Sequence, residues 1–178
     1  MLILMGPSAS GKTEIAKILD SEYNLKKVVT HTTRAKRNNE IPDIDYHFVA
    51  HDDFVLMYNN NEFVETTVYN NNYYGTSKKE IGDDKCIVLD PNGAMNFKRL
   101  NIDNLFIVYL QCDQNIRIAR MQSRGDSDKN IESRIKSDVL SFNDNAKTIA
   151  DYIIDSSSSN PHELAQIIYN LYKNFLNN

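Results

Sequence analysis

The chain alternates short apolar runs with segments in which apolar side chains recur every three or four residues. The runs are rich in Ile, Val, Leu and aromatic residues, which is typical of parallel strands buried on both faces. They are Met1–Met5, Lys27–Thr33, Cys86–Asp90, Leu105–Cys112 and Tyr152–Asp155. The helical spacing predicts helices over Thr13–Tyr23 and from Pro161 onward, with Asn160 as the N-cap of the second. This alternation predicts an α/β fold built on a parallel sheet.

Two stretches interrupt the alternation. Residues 38–74 are rich in Asn, Asp and aromatic residues with short apolar patches, and they predict a small inserted β-rich module. Residues 117–134 are charged and broken at Gly125, which predicts a helical hairpin with a mobile tip. We therefore expect a single domain of residues 1–178. Its core would comprise 1–33, 77–116 and 135–178, with the module over about 34–76 and the hairpin over about 117–134.

The amino-acid composition excludes some classes of protein. The 178 residues are 41% hydrophobic and 25% charged, and they contain two cysteines. No apolar run approaches the roughly 18 residues of a membrane span, and so few cysteines are typical of a reducing compartment. We therefore expect a cytoplasmic protein that binds neither a membrane nor a nucleic acid.

The charge distribution says more than the net charge of −4, which by itself argues against anionic ligands. Six of the seven arginines lie in two segments, one formed by Arg34 and Arg37 and the other by Arg117, Arg120, Arg124 and Arg134. Arginine side chains at such spacing suit bidentate recognition of phosphate oxygens. The sequence therefore predicts small anionic ligands held by a few arginines, and no broad basic surface.

Residues 6–13 read Gly-Pro-Ser-Ala-Ser-Gly-Lys-Thr, the pattern of a phosphate-binding loop between a strand and a helix. The backbone amides of such a loop and the N-terminus of its helix surround phosphate oxygens. Lys12 would bridge the β- and γ-phosphates, and the Thr13 hydroxyl would bind Mg²⁺. The predicted triphosphate-binding residues are Gly6, Ser8, Ala9, Ser10, Gly11, Lys12 and Thr13.

Further motifs stand in the order found in guanylate kinases, which the chain resembles over nearly its whole length. They are the Gly-Pro-Ser loop, Thr-Thr-Arg-x-x-Arg at 32–37, Asp-Tyr-x-Phe at 45–48, the segment around Glu65, Tyr-Tyr-Gly-Thr at 73–76 and Arg-Gly at 124–125. The resemblance implies a P-loop NTPase fold that transfers the γ-phosphate of ATP to GMP or dGMP with Mg²⁺. It also implies that the inserted module binds GMP and that the hairpin is a lid.

Roles for individual residues follow from the same resemblance. Arg34, Arg37, Tyr46 and Tyr74 would hold the GMP phosphate. Glu65 would accept hydrogen bonds from the guanine N1–H and 2-amino group, with the Thr30 and Thr76 hydroxyls near O6. The catalytic set it implies is Lys12, Arg34, Arg120, Arg124 and Arg134.

The sequence departs from the family pattern in two places. Asp90 ends an apolar run, so it could orient Mg²⁺ through water or accept a hydrogen bond from the guanine amino group, and both roles remain open. Pro91-Asn92-Gly93 follows it directly, where the family usually has a second acid. Asp155 stands where the family generally has an Asn near the adenosine.

Two other functions compete with this interpretation. A related P-loop kinase could act on another phosphorylated acceptor such as a ribose bisphosphate, but Glu65 with Thr30 and Thr76 favours guanine. A non-catalytic guanylate-kinase-like binding module is disfavoured by the intact Gly11-Lys12-Thr13. A monomer and a homodimer are both compatible with the sequence.

Overall fold

The computed structural model of the chain describes residues 1–177. In chain order its strands are β1 (Leu2–Met5), β2 (Lys26–Lys27), β3 (His31–Thr32), β4 (His47–Phe48), β5 (Phe63–Tyr69), β6 (Asn72–Ser77), β7 (Lys85–Leu89), β8 (Phe106–Gln111) and β9 (Tyr152–Asp155). Its α-helices are α1 (Lys12–Tyr23), α2 (His51–Asn59), α3 (Pro91–Arg99), α4 (Gln114–Ser123), α5 (Asp128–Ser141), α6 (Asp144–Lys147) and α7 (Pro161–Leu176).

Five strands form a parallel core sheet in the order β2-β7-β1-β8-β9. Alternate side chains of β1 point to opposite faces, as the pleat of a strand requires. Leu2 and Leu4 belong to the apolar cluster beneath α1 and α7, whereas Ile3 and Met5 belong to the cluster that includes α3. The predicted α/β fold with a parallel sheet core is therefore confirmed.

The two predicted helices are present. α1 begins directly after Gly11, whose φ of 98° lies in the left-handed region. α7 begins at Pro161, and the Asn160 side chain accepts a hydrogen bond from the His162 N–H at 2.9 Å. The N-cap predicted from the sequence is therefore confirmed.

The strand predicted over Lys27–Thr33 is wrong as a single element. β2 pairs with β7 in the core sheet, whereas β3 joins a second sheet of order β4-β3-β6-β5. The chain passes from one sheet to the other at Val29 and Thr30, so the second sheet begins inside the segment predicted as core. Residues rich in strand propensity, Val28, Val29 and Thr30 followed by Thr32 and Thr33, lie on both sides of this crossing, so the composition of the segment carries no signal of it.

The second sheet carries the inserted segment, which also contains α2, a helix that the sequence pattern did not predict. β5 and β6 form a hairpin whose turn places Asn70 and Asn71 at φ of 49° and 60°. Asn tolerates this left-handed conformation better than other non-glycine residues. Asn70 and Asn71 therefore allow the tight turn of this hairpin.

α4 and α5 form a hairpin around Gly125, which has a φ of 85°. The Ser127 side chain caps α5 by accepting from the Asn130 N–H. Both helices extend beyond the predicted bounds, because α4 begins at Gln114 and α5 ends at Ser141. In the described part of the chain, no helix combines the length and apolar character needed to cross a membrane.

Candidate active site

A cleft of about 460 Å³ lies between the carboxyl ends of β1 and β7, the second sheet and the α4–α5 hairpin. The structure brings sixteen of the predicted site residues together around it, namely Gly6, Ser8, Ala9, Gly11, Lys12, Thr13, Thr30, Arg34, Arg37, Tyr46, Glu65, Tyr74, Asp90, Arg120, Arg124 and Arg134. Two predicted residues do not line it. Ser10 is fully buried within the loop, and Thr76 is buried behind Glu65.

The phosphate loop is constrained by close packing. A Cβ on Gly6 would lie 2.5 Å from the Leu110 carbonyl oxygen, so the backbones approach too closely for a side chain. Ala9 has a φ of 60°, an unusual value for alanine. These two positions bend the chain into a concave loop above the N-terminus of α1, a shape suited to anions.

Lys12 turns back onto this loop. Its Nζ donates hydrogen bonds to the carbonyl oxygens of Gly6 at 2.6 Å and Pro7 at 2.8 Å. Burial of the ammonium group lowers its pKa to about 8, although the carboxylate of Asp138 opposes the effect. An incoming phosphate would add negative charge close to Nζ and so favour the protonated ammonium.

Two arginines converge on one carboxylate at the edge of the cleft. Arg34 Nη2 lies 2.7 Å from Glu40 Oε1, and the Arg37 N–H donates to Glu40 Oε2 at 2.8 Å. Burial, with the charges of neighbouring arginines, lowers the pKa of Arg37 to about 10. The guanidinium of Arg34 also lies 5.3 Å from the centre of the Tyr46 ring. The cluster has more positive than negative charge, as a phosphate-binding site requires.

Glu40 was missed by sequence reasoning, although it is the first acid after the Thr30–Arg37 run. This position is the only feature of the sequence that could have indicated a role for Glu40. It is a weak one, because a carboxylate three residues after an arginine is also common on solvent-exposed surfaces.

Glu65 lies deep in the cleft and is 6% exposed. Its Oε1 accepts a hydrogen bond from the Thr76 hydroxyl at 2.7 Å, whereas its buried Oε2 has no hydrogen-bond partner among the described residues. Burial, reinforced by the charge of Asp90, raises the pKa of Glu65 to about 7 despite the bond from Thr76. A buried acceptor without a partner is costly unless a ligand supplies a donor.

Asp90 has a structural role that the sequence analysis did not predict. Its Oδ1 accepts the Gly93 N–H at 2.7 Å, which makes Asp90 the N-cap of α3. Its Oδ2 lies 3.5 Å from the Thr67 hydroxyl, and burial raises its pKa. The short segment after Asp90 is thus the first turn of a helix, with Pro91 at the position that proline favours.

The arginines of the hairpin differ in their partners. Arg120 anchors α4 to the loop and to the end of β9, with Nη1 3.2 Å from the Ala9 carbonyl oxygen and Nη2 2.8 Å from that of Ser156. Arg124 pairs with Asp126 at 2.6 Å, and Arg134 lies 3.9 Å from the same carboxylate. All three line the cleft, so their charges face the space beside the phosphate loop.

Arg117 has no counterpart in the family pattern, and the structure gives it a buried position. It is 6% exposed, and its Nη1 lies 2.7 Å from an Asp138 carboxylate oxygen. Asp138 belongs to no motif, so nothing in the sequence predicted its place beside the loop. Asp155 does not line the cleft and instead accepts hydrogen bonds from the N–H and hydroxyl of Ser157.

Comparison with known proteins agrees with this geometry. The family model for guanylate kinase matches residues 1–169. The chain belongs to the guanylate kinase family. It is 33% identical over 132 residues to the guanylate kinase of Saccharophagus degradans, a match that covers 70% of this chain and 64% of that relative. It is 36% identical over 143 residues to that of Thiobacillus denitrificans, covering 76% and 68% of the two chains.

A solved structure supports the fold. The guanylate kinase of Anaplasma phagocytophilum superposes with a TM-score of 0.76 over 98% of this chain and 84% of that chain, at 24% sequence identity. The predicted family and the predicted P-loop NTPase fold are both confirmed.

Proposed function

We propose that this protein transfers the γ-phosphoryl group of ATP to GMP or dGMP, producing ADP and GDP or dGDP. The observation that carries the proposal is a buried carboxylate oxygen of Glu65 that has no hydrogen-bond partner within residues 1–177 and shares one cleft with the phosphate loop and with Arg34 and Arg37. Membership of the guanylate kinase family supports the same reaction.

The guanine edge offers what Glu65 lacks. Its N1–H and 2-amino group are two adjacent donors, and an ionised carboxylate is a pure acceptor that can receive both. Adenine has no such pair, so AMP would leave the buried charge unsatisfied, at about 1–3 kcal/mol or more. Thr30 lines the cleft and would contact the base, whereas Thr76 would act indirectly by holding Glu65 through their 2.7 Å hydrogen bond.

The phosphate of GMP would lie against Arg34 and Arg37, with the Tyr46 and Tyr74 rings on the same wall of the cleft. One of its oxygens would attack the γ-phosphorus of ATP directly, with no covalent enzyme intermediate. Lys12 and the three hairpin arginines would neutralise the charge that gathers between the two anionic substrates. Closure of the α4–α5 hairpin, the proposed lid, would exclude water that could otherwise hydrolyse ATP.

The cleft provides oxygen ligands suited to Mg²⁺ beside the start of α1. The exposed Thr13 hydroxyl and the Asp90 carboxylate are oxygen donors on the same cleft, and Mg²⁺ prefers such ligands together with substrate phosphates and water. When bound, the ion would offset phosphate charge. Thr13 would hold it directly, and Asp90, whose Oδ1 already caps α3, would act through water.

A coupled assay of ADP release tests the proposal, with ATP and, separately, GMP, dGMP, AMP, CMP, UMP and a ribose bisphosphate as acceptors. We expect turnover with GMP or dGMP and at least about 100-fold lower kcat/KM with AMP. Equal activity with AMP would contradict the role of Glu65. Activity with the ribose bisphosphate alone would identify a different kinase, and none with any acceptor would identify a binding module.

A further inference from the structure

A buried carboxylate that the proposed mechanism does not use lies against the phosphate loop. Asp138, on α5, is 2% exposed and accepts four hydrogen bonds. Its Oδ2 accepts the Ser8 N–H at 2.9 Å and Arg117 Nη1 at 2.7 Å. Its Oδ1 accepts the Tyr69 hydroxyl at 2.6 Å and the Ser8 hydroxyl at 3.1 Å. This carboxylate therefore has a full set of donors.

The four donors come from three separate parts of the fold. Ser8 belongs to the phosphate loop, Tyr69 ends β5 in the second sheet, and Arg117 lies on α4. Since Asp138 itself lies on α5, one side chain joins the loop, the proposed GMP-binding module and both helices of the proposed lid. The contact between Ser8 and Asp138 spans 130 residues of sequence.

The loop needs support at this point. Ala9, the next residue, has a φ of 60°, a conformation that persists only where surrounding contacts hold it. Arg120 holds the Ala9 carbonyl from one side, and Asp138 holds both the N–H and the hydroxyl of Ser8 from the other. The backbone of residues 8 and 9 is thus fixed by two side chains from the hairpin.

The ion pair with Arg117 is not explained by stability alone. Buried ion pairs are often no more stabilising than apolar residues of similar size, because both charges lose their hydration. Arg117 also leaves its buried Nε without a hydrogen-bond partner among the described residues. The partners of Asp138, in contrast, all lie in segments that form the cleft, which favours a role in shaping the site.

We propose that Asp138 is a positioning residue that holds the phosphate loop in its triphosphate-binding shape. The inference rests on the proposed function only in taking ATP as the ligand of the loop. It requires that loss of the carboxylate weakens ATP binding, while GMP, whose proposed contacts lie elsewhere in the cleft, is bound nearly as before. A purely structural role would instead lower stability and leave the affinity of the folded protein for ATP unchanged.

The test compares Asp138→Asn with Asp144→Asn, a matched loss of one carboxylate at a fully exposed side chain. ATP affinity is measured by titration calorimetry without any acceptor, GMP KM by the coupled assay, and folding by circular dichroism. We expect Asp138→Asn to raise the Kd for ATP at least tenfold and to change the GMP KM less than threefold, with Asp144→Asn resembling the wild type. An unchanged Kd in folded Asp138→Asn overturns the proposal.

Two milder variants keep the test decisive if Asp138→Asn does not fold. Tyr69→Phe and Ser8→Ala each delete one hydroxyl donor, and each is expected to raise the Kd for ATP two- to fivefold. Wild-type affinity in both would overturn the proposal. Since the titration contains no acceptor, a protein that binds ATP but does not phosphorylate GMP would refute the proposed function and leave the role of Asp138 supported.

Discussion

Replacing Glu65 with Gln should stabilise the ligand-free protein at alkaline pH while destroying guanine recognition. The pKa of Glu65 rises from 4.5 to about 7, chiefly because the carboxyl group is buried. The folded protein then binds this proton more tightly than the unfolded chain does. The resulting stabilisation is complete below pH 4.5 and is lost as the pH rises to 7.

The size of the effect follows from the two pKa values. One pKa unit corresponds to about 1.4 kcal/mol, so ionising Glu65 in the folded protein costs roughly 3 kcal/mol. Most of this develops between pH 5 and pH 8. Gln has the same shape, does not titrate and can still accept the hydrogen bond from Thr76. The free energy of unfolding of Glu65→Gln relative to wild type should therefore rise by roughly 2–3 kcal/mol between those pH values.

GMP binding should change in the opposite sense. A hydrogen bond to a charged group contributes about 1.5–3 kcal/mol, so loss of the carboxylate should weaken GMP binding roughly 10- to 150-fold. In the wild type, GMP affinity should increase from pH 6 to pH 8, since the ionised carboxylate is the form that accepts both guanine donors.

Urea unfolding at pH 5 and pH 8, with GMP titrations at the same values, measures both effects. Glu62→Gln is the matched control, because Glu62 is exposed and lies directly before β5, three residues from Glu65. If Glu65→Gln and wild type differ equally in stability at the two pH values, burial does not disfavour the charge of Glu65. If GMP affinity survives the change, guanine is not recognised through this side chain.

Three further substitutions test other parts of the site. Lys12→Met should lower kcat by about 10²–10³-fold or more in the ADP-release assay, and near wild-type turnover would contradict its role. Arg37→Met should raise the GMP KM about tenfold or more. It should also raise the Tm of the ligand-free protein, because burial and neighbouring arginines disfavour the charge of Arg37. A lower Tm would contradict this explanation. Gly75→Ala would place a Cβ 2.8 Å from the Phe63 ring. The free energy of unfolding measured in urea should therefore fall by about 1–3 kcal/mol. An unchanged midpoint would show that the ring moves aside.

Local signals in the sequence were sufficient for the phosphate loop and for four of the five core strands, with β2 as the exception. The loop is a contiguous spacing of Gly, Lys and Thr, and the strands are continuous apolar runs, so neither depends on distant contacts. α2 carries a much weaker signal. Phe54 is its single buried residue, and the Ala50 side chain before it cannot cap a helix, so neither periodicity nor capping marks the element.

The parts of the site that could not be predicted are long-range contacts. In the sequence, Glu40 and Asp138 resemble any acidic residues of a protein surface. Their roles depend on the groups that folding brings into contact with them, namely arginines in both cases and the phosphate loop for Asp138. Asp138 is buried, whereas the next two residues, Val139 and Leu140, are exposed. The carboxylate is buried because α5 packs against the phosphate loop. Spacing within a chain cannot encode a contact made across 130 residues.

Three charges in the cleft share a property that connects stability with selectivity. Lys12, Arg37 and Glu65 each have a pKa shifted against the charged form, with burial as the largest cause. Under the proposed function, each would also face the group of opposite character on the substrates: the triphosphate, the GMP phosphate and the guanine donors. Folding removes water from these charged groups. Binding of both nucleotides would therefore supply the polar contacts that the lost water no longer provides. AMP would satisfy the two cations and supply no donor to Glu65 Oε2, so discrimination between the purines would arise from the one charge that remains uncompensated.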